Sequence, residues 1–285
     1  MSARTLLLTL FAMIAFAANS LLCRLALGQD LIDAASFATV RVISGAIVLT
    51  LIVLPKWRAR GRAPTDWRAA AMLFTYMVFF SFAYLSLSAG TGALILFGAV
   101  QLTMIITALR GGERFRLLSW FGLTVAFLGL IYLVLPGLTA PDPSGAVLMT
   151  IAGIAWGFYS LLGRSVGDPL EATANNFIIA VPMVIVVSLL FVGEFHGSLS
   201  GLALAAVSGA VASGIGYVIW YAALRGLTAT RAATVQLSVP VIAAFGGAVL
   251  LSEQVTLRLV LASVATLGGV WMVLAQRDAR PANGT

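Results

Sequence analysis

The sequence predicts an all-α polytopic membrane protein whose ten transmembrane helices form two inverted five-helix repeats. The first supporting observation is composition: 61% of the residues are hydrophobic and 9% charged, against about 45–50% and 25% in soluble domains. Water cannot solvate such a surface, so the surrounding solvent is lipid. The second is that the apolar residues fall into ten runs of roughly membrane-spanning length. The third is a phrase stated twice: AFAANSLLCRLAL, from residue 15, is answered by AWGFYSLLGRS, from residue 155.

Taken in order, the runs lie near residues 5–24, 34–54, 69–88, 91–109, 117–135, 145–163, 171–192, 203–223, 229–251 and 257–275. A segment in lipid must satisfy its own backbone hydrogen bonds, so each run reads as a helix. The first, preceded by Arg4, has the look of a signal peptide. Its internal counterpart at 145–163 could not be cleaved, so the first run is read as a helix too.

Basic residues set the orientation. With the N-terminus inside, the cytoplasmic side receives Arg4, Lys56, Arg58, Arg60, Arg62, Arg68, Arg110, Arg114, Arg116, Arg164, Arg225, Arg231, Arg277 and Arg280, which is fourteen of the seventeen Lys and Arg. The outer side keeps Arg24 and Arg258, and Arg41 lies within helix 2. The positive-inside rule then predicts a protein of the cell (inner) membrane with both termini cytoplasmic. A net charge of +7 would also suit nucleic acid, but these residues are strung between apolar runs, and nucleic acid is not an expected partner. Cys23 is the sole cysteine, which excludes an internal disulfide or a cysteine metal cluster.

At an offset of 140, Ala15, Ser20, Leu21, Leu22 and Arg24 meet Ala155, Ser160, Leu161, Leu162 and Arg164; LGLIYLVL at 128–135 is answered by LGGVWMVL at 267–274. PGLTAPDPSG, at 136–145, is rich in Pro and Gly and reads as a connection. The predicted organisation is a first repeat over 1–137, a linker over 138–144, a second repeat over 145–277 and a cytoplasmic tail over 278–285. Five spans is an odd number, so the second copy enters the membrane from the opposite side. Inverted repeats place a substrate site at their interface near mid-bilayer and support alternating access. Transport is therefore the expected function.

The stretch VPVIAAFGGAVLLSE at 239–253, with Pro240 in mid-helix and Ser252-Glu253 at its end, resembles the drug/metabolite transporter (DMT) superfamily, EamA type. That resemblance implies ten helices as five plus five. The first half departs from the pattern: Gln101 stands about where the Pro belongs, twelve residues before Gly112-Glu113, and Gly111 replaces the usual apolar residue. Within the superfamily the chain is similar to the aromatic amino-acid exporter (YddG) branch.

Polar and aromatic residues at depth mark the expected pathway. Tyr76, Phe80 and Tyr84 are four apart and share one face of helix 3, as do Ser213, Tyr217 and Tyr221 on helix 8, with Trp220 beside them. Tyr84 and Tyr221, near helix ends, suit an interfacial belt as well as a cavity. Tyr76 and Tyr217 are deeper, where a phenol needs a partner. Gln101 and Gln236 either hold helices together or face a cavity. Trp156 and Tyr159, with Asn19 matching Tyr159 in the repeat, would complete the wall. The expected substrate-binding set is Tyr76, Phe80, Gln101, Trp156, Tyr159, Tyr217, Trp220 and Gln236. Pro182 and Pro240 each remove a helix hydrogen bond and are expected to bend helices 7 and 9 or serve as hinges. Asn175 and Asn176, early in helix 7, read as capping or packing as readily as part of that wall. Gly122, Ala126, Gly129, Ala265 and Gly269 form small-residue ridges suited to scaffold or oligomer contact, and Gly153 and Gly157 to close helix approach.

No Asp or Glu falls in the middle third of a predicted helix. Arg41 is read as snorkelling outward or, alternatively, as meeting a substrate carboxylate. Such a pathway suits a small neutral or zwitterionic metabolite, most simply amino acids including aromatic ones, moved outward by facilitated diffusion. No cofactor, metal or catalytic residue is expected, and the protein is read as a monomer or homodimer. An exporter of hydrophobic cations is the alternative. An intramembrane enzyme would need a nucleophile–base pair or a metal motif that the sequence lacks.

Overall fold

The computed structural model describes residues 2–112, 116–137, 139–163, 166–227 and 229–278, without the side chains of 229–231 and 276–278. Glu113, Arg114, Arg164, Arg280, linker residue 138 and the tail beyond 278 therefore lie outside the described residues.

The helices are α1 (Ala3–Gly28), α2 (Ala34–Arg60), α3 (Trp67–Ala83), α4 (Ala89–Arg110), α5 (Leu117–Val134), α6 (Pro143–Leu162) and α7 (Pro169–Leu190). They continue as α8 (Leu199–Leu224), α9 in two pieces (Ala229–Gln236 and Ser238–Leu250) and α10 (Leu257–Asp278). Local chemistry sets their starts. Asp33, Asp66, Ser88, Asp142, Asp168 and Ser198 each accept a backbone N–H of the first turn of α2, α3, α4, α6, α7 and α8. Pro143 and Pro169 follow their caps directly, where a missing N–H costs nothing.

Principal helix contacts follow the repeat. α1 packs on α8 and α9, and its counterpart α6 packs on α3 and α4. α2 packs on α7 and α8, and α7 packs on α2 and α3, while α4 meets α9 and α5 meets α10. Exchanging the halves maps this set onto itself, as an in-plane two-fold requires of inverted repeats. The ridges expected of helices 5 and 10 do meet. A Cβ on Gly122 would stand 2.6 Å from the Gly269 carbonyl oxygen, so the two backbones touch. Gly153 brings α6 equally close to α4.

Two expectations need correction, and one feature was not foreseen. Helix 3, predicted to residue 88, ends at Ala83, because Ser88 is needed outside the helix to cap α4. α8 is not uniform: Ser208–Ile215 adopts π-helical turns, where serines and glycines crowd against α1 and α2. Arg41 does not snorkel; it is 0% exposed. Of the two prolines, Pro240 sits just after the break at Leu237, where it denies the Gln236 carbonyl its helical donor, whereas α7 runs on as helix through Pro182.

Candidate functional site

Two adjacent hollows lie on the seam between the halves. The larger, about 400 Å³, is lined by Gln101, Trp156, Tyr159, Tyr217, Trp220 and Gln236 together with Phe16, Thr173, Asn176 and Tyr221. The smaller, about 20 Å³, shares Phe16, Trp156 and Tyr217 with it and is bounded by Asn19, Tyr76 and Phe80. Six of the eight expected residues thus line the main cavity. Tyr76 and Phe80 belong only to its deeper extension.

Trp156 is the centre of the wall. Its ring lies 4.7 Å from Tyr76, 5.3 Å from Tyr159 and 5.5 Å from Tyr217, the last stacked at 28°. Phe16 meets Tyr217 and Trp220 edge-on at 5.9 and 5.7 Å. The four-residue spacings on α3 and α8 place these rings in files, and Trp156 of α6 touches both files. Phe16 and Thr173 were not legible as site residues, being an ordinary Phe and Thr in apolar runs.

Polar groups in the wall are tied across helices. Tyr159 Oη donates to Thr173 Oγ1 at 3.2 Å, and Thr173 Oγ1 lies 2.8 Å from Tyr221 Oη. Gln101 Nε2 donates to the Ala233 carbonyl at 3.5 Å, so it both joins the halves and faces the cavity. Neither Tyr84 nor Tyr221 sits in a lipid belt: Tyr221 lines the cavity, and Tyr84 is wholly buried with its hydroxyl on the Ala89 carbonyl at 3.3 Å.

The mouth lies between the α2–α3 and α6–α7 connections, at Pro64, Asp66, Gly163 and Val166. Asp66 is the one charged residue among the described lining, and its carboxylate caps α3. Beside the mouth, Glu171 accepts from Lys56 Nζ at 2.8 Å, Trp57 Nε1 at 2.8 Å and the Ala63 N–H at 2.9 Å. Lys56 also pairs with Asp168. Burial pushes the Asp168 carboxyl up, but hydrogen bonds from Lys56 and the Glu171 N–H outweigh it and hold the group below its ordinary range. Asn175 leaves the undecided reading: it is buried and bonded to Arg62 and the Ala63 carbonyl.

At the opposite end the bundle is shut. Arg24 bridges Glu253 and the carbonyls of Tyr84 and Leu85. The Ile32–Gly197 bridge and the Ser198 N–H bonded to the Leu31 carbonyl close the α1–α2 turn onto the α7–α8 connection. Among the described residues no group of three His, Cys, Asp or Glu could hold a metal ion.

The EamA-like transporter family matches residues 143–275. An uncharacterized protein of Pseudomonas aeruginosa is 50% identical over 279 residues, covering 98% of this chain and 97% of its own. The second half of the chain thus carries an EamA-like transporter domain. An uncharacterized transporter of Archaeoglobus fulgidus is 26% identical over 71% of this chain and 74% of its own. An uncharacterized inner membrane transporter of Escherichia coli K12, YedA, is 28% identical over 41% and 37%. A crystal structure superposes with a TM-score of 0.65 over 96% of this chain and 99% of its own at 18% identity, a likeness of fold alone. With nine helices among the described residues long and apolar enough to cross a membrane, the chain is a multi-pass membrane protein. The geometry also explains its Ser252-Glu253 motif. Ser252 turns the chain at a positive φ of 54°, and Glu253 locks α1 to the start of α4.

Proposed function

We propose that this chain is an EamA-like transporter that exports small zwitterionic amino acids, aromatic ones among them, by alternating access and down their own gradient. The observation supporting this reading is the ring-lined cavity on the seam between the repeats, open at one end of the bundle and shut at the other. Its volume lies within the range of small-molecule sites. Its rings suit an apolar side chain, and the hydroxyls and amides of Thr173, Tyr159, Gln101 and Asn176 suit polar ends. On the positive-inside assignment the open end faces the cytoplasm, where exported substrate is loaded. A lipophilic cation would require an acidic partner at depth, and the described lining offers only Asp66 at the mouth.

Purified protein in liposomes, loaded with a panel of labelled amino acids, tests the reading. Saturable efflux of bulky neutral amino acids, unaffected by lipophilic cations, is expected. Uphill flux driven by an imposed pH gradient would contradict the facilitative mode, and efflux of cationic dye without amino-acid competition would contradict the substrate class.

A further inference from the structure

Arg41 is the feature that a neutral, ring-lined passage does not account for. It lies about two turns into α2 and is fully buried. Its Nη2 donates to Tyr76 Oη at 3.1 Å, and Nε and Nη2 reach Ser213 Oγ only at 3.4 Å. The guanidinium carbon stands 4.7 Å from the Phe80 ring and 5.4 Å from the Tyr76 ring. Among the described residues Nη1 has no hydrogen-bond partner, and Arg41 takes part in none of the ion pairs there. The titratable groups facing it are Tyr76, Tyr217 and Cys23, and no carboxylate is among them.

A buried charge without a counter-ion is costly, and arginine cannot escape that cost by losing its proton. Nor is Arg41 displaced outward, although its stem is long enough to snorkel. The surrounding structure holds it in place. A Cβ on Gly209 would meet the Arg41 carbonyl oxygen at 2.0 Å, so the π-helical part of α8 is pressed against this stretch of α2. Ser208 and Ser213 both donate to Asn19 Oδ1, at 2.8 and 3.2 Å, which turns Ser213 Oγ's lone pairs toward Arg41. The two residues covering the guanidinium, Tyr76 and Phe80, are at the same time walls of the cavity's deep extension.

We infer that Arg41 is the carboxylate anchor of the transported molecule, reached from the deep extension when Tyr76 swings aside. The substrate is therefore a monocarboxylate, and a bare amine or a cation is refused. The carboxylate takes the place of the Tyr76 hydroxyl on Nη2 and supplies Nη1 with its missing acceptor, in the two-pronged geometry guanidinium and carboxylate share. This deepens the substrate reading above and rests on the same cavity.

Binding to the purified wild-type protein, measured by quenching of tryptophan fluorescence or by thermal shift, is compared for phenylalanine, phenylalaninamide, phenethylamine and 3-phenylpropionate. The same titrations are run on Arg41→Gln and Arg41→Lys. Wild type is expected to bind the two carboxylates at least about tenfold more tightly than the amide or amine. Arg41→Gln is expected to lose that preference, and Arg41→Lys to keep part of it. Equal affinity for acid and amide on the wild type overturns the inference, a comparison that holds even where Arg41→Gln is not monodisperse. So does an unchanged acid preference in a well-folded Arg41→Gln. Amino-acid efflux with no dependence on Arg41 would remove the anchor and leave the exporter. Arg41-dependent binding of 3-phenylpropionate without amino-acid efflux would keep the anchor and remove the amino-acid reading.

Discussion

Arg24 Nε donates to Glu253 Oε1 at 3.1 Å while Glu253 Oε2 accepts the Ala89 N–H at 2.9 Å. One carboxylate thus ties α1 of the first half to the start of α4 from the far end of the second half. At the offset of 140 that relates the repeats, the sequence counterparts of this pair are Arg164 and Glu113, both outside the described residues. The bond is partly shielded from water, with side-chain exposures of 26% and 15%, so it is worth about 1–3 kcal/mol to the shut end.

Breaking it should open that end. The single cysteine, Cys23, is wholly buried one residue away from Arg24 and serves as the reporter. Glu253→Gln is expected to speed Cys23 labelling by a membrane-impermeant maleimide several-fold over wild type. Labelling as slow as in the parent protein would show that the ion pair does not hold the seal.

Trp156 touches Tyr76, Tyr159 and Tyr217 at once, and each such ring contact contributes about 0.5–1.5 kcal/mol beyond burial. Trp156→Ala should raise the half-saturating substrate concentration about tenfold or more while membrane insertion stays normal. Unchanged efflux kinetics would place this wall outside the transport path.

His196 is the only histidine and joins the α7–α8 connection to the α1–α2 turn. Its Nδ1 lies 3.0 Å from the Glu194 carbonyl and its Nε2 3.0 Å from Asp30 Oδ1. Both nitrogens donate only in the protonated ring, so the Glu194 carbonyl first, and then Asp30 and Asp33, raise its pKa above the ordinary 6.5. Because the folded value is raised, the stabilisation is fully present below pH 6.5 and is lost as pH climbs through the folded value. The imidazole resonance should titrate above 6.5 in wild type and move down in Asp30→Asn. Identical titration curves for the two proteins would rule the contact out.

At the α5–α10 contact, Gly122→Leu forces a side chain against the Gly269 carbonyl. Overpacking of this kind costs about 1–3 kcal/mol, so a lower melting temperature is expected. Neither helix lines the cavity, and substrate affinity should remain that of wild type. A variant with intact stability would mean that the two backbones are not in contact.

Much of the architecture was legible because lipid makes hydropathy a local signal. Each span must close its own hydrogen bonds, so ten apolar runs imply ten helices, and an odd number in each half imposes inversion. Capping residues such as Asp142-Pro143 and Asp168-Pro169 mark helix starts in the same local way. The rings of α3, α6 and α8 were legible too, because a spacing of three or four keeps residues on one face wherever that face points.

Azimuth was not legible. A helix apolar all round carries no stripe to say which side meets lipid and which meets protein, so the sequence left Tyr84 and Tyr221 undecided between belt and cavity, and Arg41 between snorkel and site. Only the packing of helix on helix decided them. It buried Tyr84, turned Tyr221 onto Thr173 and enclosed the Arg41 charge among rings and hydroxyls. Depth along the bilayer follows from counting residues, whereas direction around a helix depends on neighbours that other helices bring to it.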